Sequence, residues 1–382
     1  MARSRVAVLK TSPTTVIDDY KRLMRLAEYQ SYLPKDKETA LKINISWHYF
    51  YPACSTMPWQ LDGVISTLLE DGYHRDKVYG CHNRTVVVSA RRGELANRHK
   101  QVVVDKHGLR NIHLYEKGEE WVRYTPTVKM RVLDKVYPEG ILIPKRLMGA
   151  NVIHLPTMKT HVFTKITGAM KNAFGGLLFE KRHWTHSVIH ETLVDLLAIQ
   201  KEIHPGIFAV MDGTFAGDGA GPRCMVPHVK NYILASGDMV AIDAVAAKMM
   251  GFDPLSIKFI RLAHEQGLGC GDVRDIDVIG EDISRVNFHF DVEDTFASRG
   301  QKMIYWGPLR PLEHFLLRTV LAPWSYLASF LYHDVYWYNS IGRGRVKEML
   351  QTDWGKLFVS YGSAGVSPVA VTPHSISRQP AP

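Results

Sequence analysis

Three lysines, Lys159, Lys165 and Lys171, stand six residues apart in the stretch LPTMKTHVFTKITGAMKNAFGG, residues 155–176. Neither the period of a helix nor that of a strand explains the spacing. Among them lie His161, the hydroxyls of Thr160, Thr164 and Thr167, the amide of Asn172, and Gly168, Gly175 and Gly176. Ammonium groups, hydroxyls and an amide on a backbone that permits close approach are the chemistry of anion binding. The spacing is not that of the nucleotide-binding GxxxxGK[ST] loop. A single lysine here would read as a solvated loop. Three beside apolar Ile166, Met170 and Phe174 are drawn inward, where burial lowers a lysine's pKa and makes it a base or nucleophile. His161 is a candidate for proton transfer near neutral pH.

Other segments complete a site. In DGTFAGDGAGPR, residues 212–223, Asp212 closes a strand and Gly213, Gly217, Gly219 and Gly221 follow, with Asp218 within and Arg223 at the end. That density predicts a loop that bends sharply or lies against a ligand, with Asp212 orienting a lysine or a metal. In EKRHWTHSVIH, His183, His186 and His190 are three and four apart, a spacing that chelates a metal if one helix carries all three. In KINISWHYFYPACSTMPWQLDG, residues 42–63, Lys42 and Asn44 head a group with Trp47, His48, Cys54, Ser55, Thr56 and Gln60 for an opposite wall. Arg91 and Arg92 are further anion contacts. Asp238 suits a helix N-cap, and Asp243 is placed to pair with a loop lysine. The expected catalytic groups are His161, Lys171 and Asp212. Lys42, Asn44, Lys159, Thr164, Lys165, Thr167, Gly168, Asn172, Gly213 and Gly219 are expected to hold the substrate, a small carboxylate or phosphate.

The elements that must position these residues alternate. ALKINIS (40–46), RTVVVSA (84–90), NIHLYE, VRYTPTVKMRVL, NVIHLP, IFAVMDG (207–213) and IDVIG (276–280) read as strands, as do residues 6–9. Residues 60–73, ELANRHKQVVVDKHGL, 187–203, 237–251 and 254–269 read as helices. The pattern predicts an α/β fold: a parallel or mixed sheet with flanking helices, two lobes (1–150 and 151–300) around a cleft. Pro156 ends a strand, which puts the lysine segment at the strand's carboxyl end, where open α/β sheets bind ligands. Residues 301–362 form an aromatic helical extension, and 363–382, small and Pro-rich, a disordered tail. The longest uncharged run of the extension, 319–332, contains Pro323 and is too short to span a bilayer. It predicts core or oligomer contact, with membrane-surface docking through 310–345 as the alternative.

The chain has 382 residues and a formal charge of +9, which suits an anionic partner. No zinc-finger or RNA-binding signature is present, which argues against nucleic acid. Cys54, Cys81, Cys224 and Cys270 lie far apart, so there is no ferredoxin-type iron–sulfur motif, and a metal ion or other cofactor would need a site assembled in space. Their number fits a reducing cytoplasm, with peripheral membrane contact as an addition.

The three motifs LPTMKTHVFTKITGAMKNAFGG, DGTFAGDGAGP and ASGDMVAIDAVAAKMMG, in that order, resemble the domain of unknown function 362 family over roughly residues 40–280. That resemblance implies an α/β fold and, by association, redox or cofactor chemistry. KTHVFTKITGAMKN is also similar to a segment of nickel-pincer lactate racemases. It implies a proton-handling role for His161 and a cofactor-holding role for Lys171, ten residues on. Ser187, beside His186, stands where those enzymes carry a metal-ligand histidine, and Gly168-Ala169-Met170 replaces their glycine-glycine-arginine. The reading as a whole is an enzyme working by lysine and histidine acid–base or cofactor-assisted redox chemistry. A non-catalytic carrier of an anionic metabolite or metal cofactor, and a membrane-surface scaffold, are the alternatives.

Overall fold

The computed structural model of the protein describes residues 3–85, 87–319 and 323–362; the expected disordered tail lies outside the described residues. The strands are β1 (Ser4–Lys10), β2 (Thr39–Ile43), β3 (Val78–His82), β4 (Arg110–His113), β5 (Trp121–Tyr124), β6 (Ile141–Pro144), β7 (Asn151–Leu155), β8 (Thr157–His161), β9 (Lys165–Ile166), β10 (Ile207–Ala220), β11 (Cys224–Ser236) and β12 (Ile276–Gly280). The main sheet runs β12-β1-β11-β10-β7-β2-β3-β4, with β8 branching from β10. From β10 to β4 every neighbour is parallel, whereas β11 is antiparallel to both β10 and β1. The sheet is thus mixed, as expected. Strands from either side of residue 150 interleave in it, since β7 pairs with β2 and β1 with β11.

Helices α1 (Val16–Leu26), α2 (Pro58–Glu70), α3 (Ala90–Ala96), α4 (Leu133–Val136), α5 (Gly168–Leu177), α6 (Ile189–Ile203), α7 (Met239–Met250) and α8 (Lys258–Glu265) flank the sheet. Alternate strand residues feed two cores. Val6, Val8, Ala209 and Met211 pack with Met170, Leu193, Ala244 and Phe259 from α5 to α8. Ala7, Leu9, Phe208 and Val210 pack with Tyr20, Leu23, Leu61 and Val64 from α1 and α2. The chain then forms α9 (Phe296–Tyr305), α10 (Glu313–Arg318), α11 (Pro323–Phe330), a π-type helix over Leu331–Gly342, α12 (Arg343–Leu350) and α13 (Asp353–Ser360). The segment around α13 is anchored: the Phe358 ring stacks on Phe50 at 3.7 Å, and the Tyr361 hydroxyl donates to Asp62 at 2.6 Å.

Two expectations are corrected. The apolar run at 84–90 is not a strand: among its described residues only Thr85 and Val88 form a bridge, Ala90 already opens α3, and the strand of that region is β3, whose residues are all buried. Valine-rich composition did not distinguish a partly exposed connection from a strand. Most of the glycine-dense 212–223 segment is not a loop: residues 212–220 are the distal part of β10, hydrogen-bonded along β11 with a bulge near Gly213, and only 221–223 form the hairpin turn. Its glycines admit neighbours: a side chain at Gly217 would meet Met225 and Lys159, and one at Gly221 the backbone of Thr160.

Candidate functional site

Past Pro156 the chain leaves β7 and continues as β8, which pairs instead with the distal part of β10 (Asp212 with Thr157, Gly217 with Lys159). The lysine segment is therefore a strand, a tight turn and a helix. Gly168, at φ +69, opens α5, and a side chain there would collide with the Asp243 carboxylate. Asp243 accepts the N–H groups of Ala169 (2.5 Å) and Met170 (3.0 Å), so it holds the start of α5 and binds no lysine. Asp238 caps α7 through Val240 and Ala241, as expected.

Between this strand–turn–helix, the ends of β2 and β3, and the C-terminal helices lies a cavity of about 870 Å³. Lys42, Asn44, His161, Thr167, Lys171, Asn172, His183 and His186 line it, together with Arg182 and Arg223. No aspartate or glutamate among the described residues lines it. Its remaining wall is apolar and aromatic, including Phe163, Phe174, Tyr305, Trp324 and Tyr332.

The cations differ in how they are held. Lys42 reaches in beside Gly176 and donates to the Ile43 carbonyl at 2.5 Å; burial lowers it to about 8. Lys159 lies beneath the cavity floor, donating to Ser46 Oγ at 2.9 Å and to the Cys54 carbonyl, and burial lowers it to about 8 as well. Lys171 stands 5.5 Å from the Phe174 ring and makes no hydrogen bond to a described residue. Burial, with the nearby charges of Lys159 and Arg182, lowers it to about 7. Arg223 donates to Ser329 Oγ at 3.1 Å through one Nη, while its other Nη is buried without a partner. The Thr167 hydroxyl and the Asn44 amide nitrogen are likewise buried and unmatched. Buried donors left open beside a cavity are what a polar ligand would complete.

His161 ends β8, and its Nδ1 accepts the Phe163 N–H at 3.1 Å, which puts the proton of the neutral ring on Nε2. Burial, then the charges of Lys171 and its neighbours, hold it well below the ordinary histidine range. It is therefore a neutral donor at physiological pH, whereas Lys171, lowered to about 7, titrates close to it.

Several expected residues lie elsewhere. Asp212 is fully buried away from the cavity. It accepts Tyr20 Oη (2.6 Å), Trp59 Nε1 (2.9 Å), and the Thr214 hydroxyl (2.7 Å) and N–H (3.1 Å), a structural knot with no lysine in it. Lys165 points outward to Ser256, and Thr164 closes its own turn onto the Ile166 carbonyl. Gly168 and Gly213 serve backbone packing, and Gly219, at φ +84, presents its carbonyl to Thr160. Gln60 and Thr56 brace the end of β7 and its neighbours rather than facing the cavity. Cys54 donates to the Pro222 carbonyl at 3.2 Å, and burial raises its pKa, so it is no thiolate nucleophile.

The three histidines do not chelate together. Residues 180–188 form a 3₁₀ stretch, which puts His183 and His186 on one side, but His190 starts α6 with its ring against Phe259. His186 Nδ1 is already bonded to the His183 carbonyl at 2.9 Å. Arg182, Arg223, His82 and the aromatic wall escaped the sequence reading as site residues. Arg223 was visible at the end of the glycine run, but only the β10–β11 hairpin carries it over the cavity.

The sequence model of a family described as domain of unknown function (DUF362) matches residues 39–248, and the chain belongs to that family. The curated protein named Thylakoid-associated protein sll1697, from Synechocystis sp., is 30% identical over 134 residues. The match takes in 33% of this chain and 40% of that relative's length. No solved structure gives a significant match. No helix among the described residues is long and apolar enough to cross a membrane.

Proposed function

We propose that this member of the DUF362 family is an enzyme acting on a carboxylate or phosphate that carries an apolar body. The observation that supports this most directly is the cavity lining: Lys42, Lys171, Arg182 and Arg223 are its charged groups, with histidines but no carboxylate among the described lining residues. The apolar wall takes the rest of the molecule. Lys171 is the acid–base group. Poised at about 7, it is partly neutral at physiological pH. With a carboxylate substrate, its amine takes a proton from the carbon next to the carboxylate. The negative charge that develops is stabilised by Lys42 and Arg182, and the Lys171 ammonium returns the proton. His161 supplies a neutral N–H donor. Calorimetric titration with dodecyl phosphate and with inorganic phosphate tests the binding step. Tighter binding of dodecyl phosphate, lost in Lys171→Met, is the expected result; equal binding by that variant would defeat the proposal.

A second reading, peripheral contact with a membrane surface, has its own support. Phe315 (57% exposed), Leu327 (59%) and Leu312 (47%) stand among a concentration of exposed apolar side chains between residues 296 and 341. Arg299, Lys302, Arg310, Arg343 and Lys347 accompany them. Basic and apolar groups together suit an anionic bilayer interface. The relative's name, thylakoid-associated, is compatible with it.

A further inference from the structure

We propose that His82, Glu94 and His113 bind a divalent transition-metal ion of the zinc class at the rim of the cavity. The parallel pairing of β3 with β4 sets His82 and His113 directly opposite one another as the last residues of their strands. Glu94 descends on them from α3. That helix is pressed close because Gly93 leaves no room for a side chain against Ile45 and the Trp47 backbone. Glu94 Oε2 consequently lies 3.1 Å from His82 Nε2 and 2.7 Å from His113 Nε2. Among the described residues, this is the one group of three histidine, cysteine or carboxylate ligand atoms lying within 4.8 Å of one another.

The surroundings of His113 and Glu94 fit ligation. Metal-binding histidines characteristically turn their other nitrogen to a carboxylate, and ligating carboxylates are themselves hydrogen-bonded. Here His113 Nδ1 lies 2.7 Å from Glu116 Oε1, and Asn111 Nδ2 donates to Glu94 Oε1 at 2.7 Å. Gly80 leaves the space in which the Asn111 amide sits. Two imidazoles and one carboxylate are the donor set of open zinc sites, which keep a further position for water or substrate. His82 also lines the cavity, so the site adjoins it. The ion would add Lewis-acid attraction for an anionic group, but the site rests on its own geometry and not on the anion reading.

The test uses the full chain, stripped with a chelator and titrated with Zn²⁺ alone, without any anionic ligand. One equivalent is expected by calorimetry and elemental analysis, with Co²⁺ giving the visible absorption of a low-coordinate site. Glu94→Gln should abolish the stoichiometric binding. Glu116→Gln, a partly exposed position that leaves the three ligands intact, should weaken it about 10- to 100-fold, which keeps the test valid if Glu94→Gln fails to fold. His183→Ala should bind as the wild type does. Absence of stoichiometric Zn²⁺ binding, or binding that survives unchanged in both the Glu94 and Glu116 variants, overturns the site. Failure of dodecyl phosphate to bind would leave this result untouched.

Discussion

Replacing Lys171 by methionine should make the protein more stable and less able to bind. The lysine's midpoint falls from 10.5 to about 7, chiefly through burial. At ~1.4 kcal/mol per tenfold change this corresponds to roughly 5 kcal/mol against the charged form. The side chain is half-buried against an open cavity, so screening by water leaves about 2 kcal/mol. The sign follows from linkage. Between about 7 and 10.5 the unfolded chain holds a proton that the folded one lacks, so this lysine's contribution rises with pH across that window. Its penalty is complete below pH 7. Lys171→Met should therefore be stabilised by about 2 kcal/mol at pH 6, and the gain should shrink toward zero near pH 10. The same change removes a charge-assisted contact worth ~1.5–3 kcal/mol, so dodecyl phosphate affinity should drop at least tenfold. Urea denaturation at pH 6, 8 and 10, with calorimetry at pH 6, measures both. Destabilisation at pH 6 would mean that the ammonium has a structural partner, and the reasoning would fail.

Three further outcomes are expected, beside the zinc titration. Asp212→Asn should cost about 2–4 kcal/mol in urea denaturation by breaking a buried network, yet leave dodecyl phosphate affinity unchanged, because the residue does not line the cavity. Wild-type affinity for dodecyl phosphate should decline as pH rises through about 7 and then about 8, where Lys171 and Lys42 in turn lose their protons; a flat calorimetric profile would count against both as ligand groups. The triple change Leu312→Ser, Phe315→Ser, Leu327→Ser should reduce co-sedimentation with phosphatidylglycerol vesicles severalfold while leaving the circular dichroism spectrum as it was, since all three side chains are exposed.

The sheet was legible because its strands carry strong local signals: β1, β2, β7 and β12 each lie close to a β-rich run of the sequence. The glycine run of β10 was not, because glycine density marks both a bend and a strand that must admit close neighbours, and only the pairing with β11 separates them. At the site, Lys42, His161, Thr167, Lys171 and Asn172 were identified from type and spacing, and they do share the cavity. Lys159 and Lys165 were counted as equals of Lys171. Strand alternation and a turn residue at φ +61 send them to different places. His82, Glu94 and His113 carry no local motif at all; parallel register brings together two residues 31 positions apart, a relation that spacing along the chain does not encode.

The way this fold treats its buried charges argues for an anionic ligand more strongly than their number does. Three aspartates buried away from the cavity are satisfied within the protein: Asp195 accepts three consecutive N–H groups from Arg131 to Leu133, Asp243 accepts two, and Asp212 is surrounded by donors. Lys159, the lysine that is wholly enclosed, is matched as well. At the cavity the cations and hydroxyls are held differently. Among the described residues, Lys171 meets a ring face and no hydrogen-bond partner, one Arg223 nitrogen has no partner, and the Thr167 hydroxyl is unmatched. Each such group costs about 1–3 kcal/mol, more where it is charged. A chain able to satisfy three aspartates internally had a local remedy available, an acidic side chain on the wall, and the described lining has none. A fixed carboxylate there would neutralise the ammonium, restore its pKa and compete with an incoming anion. Leaving it out keeps Lys171 both titratable near neutrality and receptive to negative charge, the two properties that acid–base work on an anion requires.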